Sequence, residues 1–182
     1  RGCGIGSIDA GYTLKEICAG TISTDGSCSN PLPNLFQGLY IAIDAQAANP
    51  LYTIKSTYSN FVNNWWGIRL KGISYPYLKY NSFDVGAPVS NNQSLGLFVD
   101  GCSGYNISNN QFKSSFSPAP YGAVIQNSPG NKELFYKNFF SGIYYGLGAQ
   151  RQNSGLLMQC NSFKNMGLVD VAVATVVSAL LV

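Results

Sequence analysis

The side chains best suited to acid–base work are eight carboxylates, at Asp9, Glu16, Asp25, Asp44, Asp84, Asp100, Glu133 and Asp170, and no two are close in sequence. Glycoside hydrolysis needs two carboxyl groups flanking one bond. The chain has no histidine, which removes Ser-His-Asp and Cys-His nucleophile systems and histidine-ligated zinc. Cysteines at 3, 18, 28, 102 and 160 include no Cys-x-x-Cys pair, so neither a zinc knuckle nor a thioredoxin-type site is indicated. No catalytic residue, metal ligand or cofactor is assigned on these grounds. Cys3, Cys18 and Cys28 share a Gly/Ser/Thr-rich stretch that one disulfide could close, with Cys18–Cys28 put forward as the pair, and the odd count leaves at least one free thiol. Cys102 and Cys160 read as small buried apolar residues rather than reactive thiols, because nothing nearby lowers a thiol pKa.

Aromatic residues beside amides offer recognition chemistry instead. Asn63-Asn64-Trp65-Trp66 and the pair Tyr75 and Tyr77 combine rings that can stack on sugars with amides suited to hydroxyl groups. These six are the candidate binding residues, and Tyr144-Tyr145 is a further aromatic pair. The competing reading is that such rings pack the bends between strands, a common use of amphipathic Trp and Tyr.

Composition narrows the classes further. Of 182 residues, 46% are hydrophobic and only 19 are charged, while 18 asparagines, 8 glutamines, 20 glycines and 12 tyrosines are present. High apolar content at a net charge of +3 excludes a disordered chain. Eleven scattered Lys and Arg form no dense patch, so no nucleic-acid partner is expected. The length fits one domain with a proper core. The chain starts at Arg1, which reads as a mature product or fragment, and no signal-peptide-like apolar run lies in residues 1–18. Residues 169–182 are apolar but too short to span a bilayer as a helix. They read as a terminal strand or cap, so membrane insertion is not expected.

A repeat orders these residues. Asn-x-Phe recurs at Asn34/Phe36, Asn81/Phe83, Asn110/Phe112, Asn138/Phe140 and Asn161/Phe163, with an imperfect copy at Ser59-Asn60-Phe61. Successive phenylalanines are 25, 22, 29, 28 and 23 residues apart, and a glycine opening an apolar alternation follows each of the first five: Gly38, Gly67, Gly96, Gly122 and Gly146. Five residues before the phenylalanine, Leu78, Ile107, Phe135 and Met158 form another apolar column, which Ser56 breaks. This grammar predicts an all-β fold, a right-handed parallel β-helix of five to six coils. The phenylalanines would stack as an interior ladder. The asparagines would sit at tight turns in left-handed dihedrals and bond from coil to coil. A leucine-rich repeat lacks support because L-x-x-L-x-L spacing is absent, and a β-sandwich would not explain Asn-x-Phe. The expected boundaries are a Cys-containing segment or cap at 1–33, the β-helix at 34–168 and an apolar terminal strand or cap at 169–182. Insertions at 86–93 and 114–120 should bulge from one edge.

Aligning coils by their glycines puts Ile68, Leu70, Leu97 and Val99 inward, with Arg69, Lys71, Phe98 and Asp100 outward, followed by Val124 and Gln126, then Gly148 and Gln150. Asp100 should then form a surface pair with Lys71, and Asp84 is the only other carboxylate expected near it. After Phe163, Leu168 can point inward, whereas continued alternation would bury Asp170. An exposed Val-rich edge there would favour end-to-end self-association.

The stretches 34–46, 52–85, 95–112 and 121–163, the last containing Gln150-x-x-x-x-Gly155-Leu156-Leu157-Met158-Gln159-Cys160-Asn161-Ser162-Phe163, resemble secreted β-helix proteins of Bacteroidetes bacteria. The resemblance implies a secreted or cell-surface location and export by the type IX secretion machinery through a separate C-terminal sorting domain, which is not visible in this chain. The expected function is an extracellular β-helix module, non-enzymatic, for adhesion to glycan or a cell-surface protein. The alternatives are a fragment of a polysaccharide lyase or glycoside hydrolase and a structural subunit of a surface assembly.

Overall fold

Each repeat supplies three short strands that cannot bury their inward side chains alone, so stacking must provide the missing surface. The computed structural model describes residues 2–49, 51–89, 93–116, 120–128, 130 and 132–174. Over these the chain is a parallel β-solenoid of about five turns without a helix. A seven-stranded long sheet is built from Cys3–Ile8, Ile41–Gln46, Trp66–Lys71, Leu95–Asp100, Tyr121–Gln126, Tyr145–Gln150 and Val169–Ala174. A middle sheet holds Tyr12–Leu14, Ile54–Thr57, Tyr77–Lys79, Asn106–Ser108, Glu133–Tyr136 and Leu156–Gln159. A phenylalanine sheet holds Asn34–Gln37, Ser59–Asn64, Ser82–Val85, Gln111–Lys113, Phe139–Ser141 and Ser162–Lys164. Each turn visits the three sheets in that order.

The ladder extends past both boundaries expected from the repeat. Cys3–Ile8 and Tyr12–Leu14 pair in parallel with Ile41–Gln46 and Ile54–Thr57. Between them and Asn34, an antiparallel pair of Ile17–Cys18 with Pro31–Leu32 projects as an insertion, closed by the Cys18–Cys28 disulfide. At the other end Val169–Ala174 continues the long sheet on Tyr145–Gln150. Leu168, expected to point inward, is exposed, and Met166 packs on the core instead. The rest of the expected terminal strand, 175–182, lies outside the described residues. So do 90–92 and 117–119 of the two insertions, both of which link the phenylalanine sheet to the long sheet.

The interior carries two ladders. Phe36, Phe61, Phe83, Phe112, Phe140 and Phe163 stack with centroids 4.7 to 5.1 Å apart and planes within 12°. One column away, the Asn81 amide donates from Nδ2 to Asn110 Oδ1 (3.1 Å), Asn110 to Asn138 (3.0 Å) and Asn138 to Asn161 (3.1 Å). Each Oδ1 also accepts the backbone N–H of the preceding ladder residue, at 2.9 to 3.1 Å. The second Nδ2 hydrogen goes back to a carbonyl of the previous coil, Ser56, Leu78, Ile107 or Phe135. Every buried donor and acceptor of Asn81, Asn110 and Asn138 is thereby used, as burial of an amide requires.

The asparagines do not occupy the left-handed turn positions. Those belong to the residue before each ladder position, Tyr58, Tyr80, Asn109, Lys137 and Cys160, with φ of 51° to 58°. Turning the chain one residue earlier frees the asparagine to point inward. Cys160, expected to be buried, is consequently an exposed corner residue. The imperfect coil has a compensation. Ser59 lacks an amide, and the Ser56 hydroxyl supplies the missing donor to Asn81 Oδ1 at 3.1 Å. The serine that breaks the apolar column and the serine that breaks the asparagine column are one substitution in two parts.

Glycine has a steric role facing the phenylalanines. A Cβ on Gly67, Gly96, Gly122 or Gly146 would stand 2.6 to 2.9 Å from the ring of Phe83, Phe112, Phe140 or Phe163. The column begins at Gly4, where a Cβ would stand 3.3 Å from the Phe36 ring, and continues through Ala42, in register with Gly67, whereas Gly38 is a turn residue with φ 68°. Ala42 and Ile43 both face the core, so the in–out alternation slips by one at this position in the strand.

Asn110→Ala should lower the free energy of unfolding by about 3–5 kcal/mol, because it orphans two donors on Asn81 and the Leu78 carbonyl. Asn34→Ala, at the half-exposed end of the ladder, should cost less than about 1 kcal/mol. Urea denaturation of the two variants checks the contrast.

Candidate functional site

Three rows of corners join the sheets, and the candidate binding residues fall on two of them. Asn63 to Trp66 turn from the phenylalanine sheet into the long sheet, where Asn63 takes φ 51°. Asn64 is 2% exposed. Its Nδ2 donates to the Phe36 carbonyl and its Oδ1 accepts the Leu39 N–H, both at 2.9 Å, so this amide holds the corner. Trp65 is buried against Tyr40, with centroids 4.3 Å apart. Trp66 packs on an apolar cluster of Leu95, Phe98, Tyr121 and Val124 on the outer face of the long sheet. Phe98, expected outward, does point that way but is buried in this cluster.

Tyr75 and Tyr77 lie at the corner between the long and middle sheets, apart from the Trp pair. Tyr75 is 72% exposed and left-handed (φ 53°). Its N–H donates to the Ser103 carbonyl and its own carbonyl accepts the Thr53 hydroxyl, both at 2.7 Å, so the backbone is pinned while the ring is free on the solvent side. The other side of the ring rests against Gly104, where a Cβ would collide with it. Tyr77 is half-buried and in register with Asn106.

Two adjoining hollows of about 410 and 360 Å³ open along this corner and share Gly104 and Lys132. Tyr75, Ser103 and Gly130 line one; Asn106, Glu133 and Leu157 are among the residues lining the other. Glu133 is the group the repeat grammar missed. It occupies an inward column of the middle sheet, beside Tyr105 in the preceding coil and in register with Leu156 in the next. It is 0% exposed. Its Oε1 accepts a long bond from the Gly104 N–H (3.4 Å), and Oε2 has no hydrogen-bond partner among the described residues. A Cβ on Gly130 or Gly155 would overlap the carboxylate, so these glycines make the niche that holds it. Neither ion pair among the described residues, Arg69–Asp44 or Lys113–Asp84, involves it. Burial of the neighbouring Tyr105 phenol pushes its pKa far above the ordinary value. The sequence did contain a signal: counting back two from the inward Phe135 puts residue 133 on the core side.

The remaining carboxylates are engaged elsewhere. Asp44 and Arg69 form a bidentate pair on the outer face of the long sheet, with Nε to Oδ1 at 2.8 Å. The Arg69 hydrogen bonds hold the Asp44 carboxyl below the usual range, and Asp44 raises Arg69 in turn. Asp84 pairs with Lys113 across adjacent coils at 3.6 Å. Asp100 is in register with Lys71, as expected, yet the expected pair does not form: Asp100 accepts the Asn127 amide at 2.8 Å instead. Cys102 is buried, and desolvation pushes its thiol up to about 12, which leaves it inert at neutral pH.

Comparison with protein-family models, with curated proteins and with solved structures found no match. The chemistry of the corner must therefore be read from its own residues. Its one buried carboxyl group, Glu133, has one oxygen without a donor and no ion-pair partner among the described residues, an arrangement that costs stability. Glu133→Gln should accordingly raise the urea midpoint at neutral pH by the equivalent of about 1–3 kcal/mol. A lowered midpoint would show that the carboxyl group is satisfied within the fold.

Proposed function

We propose that this chain is an extracellular, non-catalytic β-solenoid module that binds glycan at the corner between its long and middle sheets. The observation that carries the reading is Tyr75. An aromatic ring exposed on one side, backed by glycine and pinned through its backbone, offers a preorganised stacking surface beside polar groups of Ser103, Asn106 and Lys132. Loops carried on a rigid scaffold are where binding residues concentrate.

The location belongs to the same proposal. The Cys18–Cys28 disulfide suits an oxidising compartment. The resemblance to secreted Bacteroidetes β-helix proteins supports export by the type IX route. Glu133 gives some support to the alternative of a carbohydrate-active enzyme. Hydrolysis, however, requires two carboxyl groups about 5–9.5 Å apart, and Glu133 is the only carboxylate among the described residues lining the two hollows.

A glycan array probed with the full chain should show a defined set of bound oligosaccharides. Tyr75→Ala should weaken the best of them by about tenfold or more, the equivalent of about 1.4 kcal/mol. Trp65→Ala should lower thermal stability and leave glycan affinity within about twofold, since Trp65 is buried at a different corner. Tyr75→Ala binding as the parent does would count against this corner.

A further inference from the structure

We infer that the corner between the middle and phenylalanine sheets carries a second glycan site, one for acidic sugars, in which Lys79 and Lys137 receive the sugar carboxylates. It shares with the preceding proposal only the expectation of a glycan, because Tyr75 lies at the opposite edge of the middle sheet.

Register brings the two lysines into one row. Lys79, Ser108 and Tyr136 are opposite one another in successive coils, and the left-handed corner residues that follow them are Tyr80, Asn109 and Lys137. A Lys-Tyr pair and a Tyr-Lys pair therefore stand two coils apart, a separation of about 9.6 Å along the axis. Ser108 and Asn109 between them are shorter, so the edge is notched where the central coil passes. The Asn109 side-chain amide is half-buried and has no hydrogen-bond partner among the described residues.

Both ammonium groups are held in place. Lys79 Nζ lies 4.8 Å from the centroid of the Tyr80 ring, and Lys137 Nζ lies 5.0 Å from that of Tyr136. Tyr80 is itself stacked on Tyr58, with centroids 5.1 Å apart. Hydrogen bonding to the Tyr80 and Tyr136 phenols raises the pKa of the respective ammonium above the ordinary lysine value. A cation positioned before binding loses less side-chain freedom when an anion arrives.

Charge selects the ligand class. Among the described residues, the outer face of the middle sheet and this corner hold Lys55, Lys79 and Lys137 and no carboxylate, since Glu133 faces the interior. On the other two faces acidic groups accompany the cations: Asp44 with Arg69, Asp100 in register with Lys71, and Asp84 with Lys113. Glu16 shares a hollow with Tyr58 and Tyr80, so an acidic chain should run from Tyr80 toward Cys160 and not past Tyr58. A pyranose advances along an extended glycan by close to one coil spacing. Carboxylates on every second sugar would then meet the two lysines, with the intervening hydroxyls over Asn109. Nucleic acid is a poorer fit. Base stacking needs free ring faces, and Tyr80 is engaged by Tyr58 and Lys79. The Cys18–Cys28 disulfide also suits an oxidising compartment.

Isothermal titration of the full chain with β-1,4-glucuronic acid tetramer and with cellotetraose tests this, since the two ligands differ only at C6. The acidic tetramer should bind about tenfold tighter, as two exposed ion pairs allow, and the difference should shrink with added salt. Lys79→Gln/Lys137→Gln should bring the two ligands within about twofold of each other. Lys71→Gln/Lys164→Gln removes the same charge from the other two sheets and should keep the difference, as should Tyr75→Ala. Equal affinity in the parent chain, or no binding of the acidic tetramer, would overturn the inference and leave neutral-glycan binding at Tyr75 intact. A preference that survives in Lys79→Gln/Lys137→Gln would overturn the role of these lysines. A preference lost equally in Lys71→Gln/Lys164→Gln would trace it to net charge and overturn the site. Octathymidylate binding as tightly as the acidic tetramer would overturn the glycan class.

Discussion

The constraint on which the structure depends is the burial of asparagine amides at successive turns of the solenoid. A chain that reverses direction three times per coil must place polar backbone near its core, and each such group needs a partner. The ladder supplies partners in both directions: the side chains of Asn81, Asn110 and Asn138 each accept from the coil before and donate to the coils on both sides, and Asn161 at the end of the ladder donates back to the Phe135 carbonyl. Local turn formation and long-range stacking are thus one event. The phenylalanine ladder adds apolar burial along the same axis, but it is the amide register that fixes which coil face meets which.

Much else follows from keeping that register. The phenylalanine rings need space, which a glycine in the long sheet provides in five coils. Slipping the alternation at the same position turns the outer face into three columns with separate uses. One is aromatic and apolar around Trp66 and Tyr121, one holds the Asp44–Arg69 pair, and one is polar with Lys71 and Asp100. The corners are the least constrained parts of each turn. It is there that exposed tyrosines, the disulfide-closed insertion and the glycine-walled niche are found.

How much of this was legible in the sequence depended on whether a feature repeats. Asn-x-Phe recurs five times, so the all-β solenoid, the phenylalanine stack and the amide bonding could all be read from spacing. The turn dihedrals could not, because the left-handed residue is Tyr, Asn, Lys or Cys by turns and carries no signature of its own. The Asp44–Arg69 pair was hidden because Gly38 looked like the first glycine of the column. Alignment through Ala42 brings the two residues opposite each other. Glu133 was missed because it is the exception within an inward column, and a repeat search rewards agreement. Of the candidate binding residues, Asn64 and Trp65 proved to be built into a corner, where adjacency in sequence gave no hint of burial. Tyr75 kept its exposure, since a left-handed corner residue pinned through its backbone must project its side chain outward.

Such a stack requires that the ladder amides be bonded continuously from Asn81 to Asn161. Hydrogen exchange of the side-chain NH₂ groups of Asn81, Asn110 and Asn138, followed by ¹⁵N-resolved NMR in D₂O, tests this directly. Both hydrogens of each amide should exchange orders of magnitude more slowly than those of an exposed asparagine, and at rates close to one another because the ladder opens as a unit. Exchange at the rate of free asparagine at any of the three positions would contradict a continuous buried ladder.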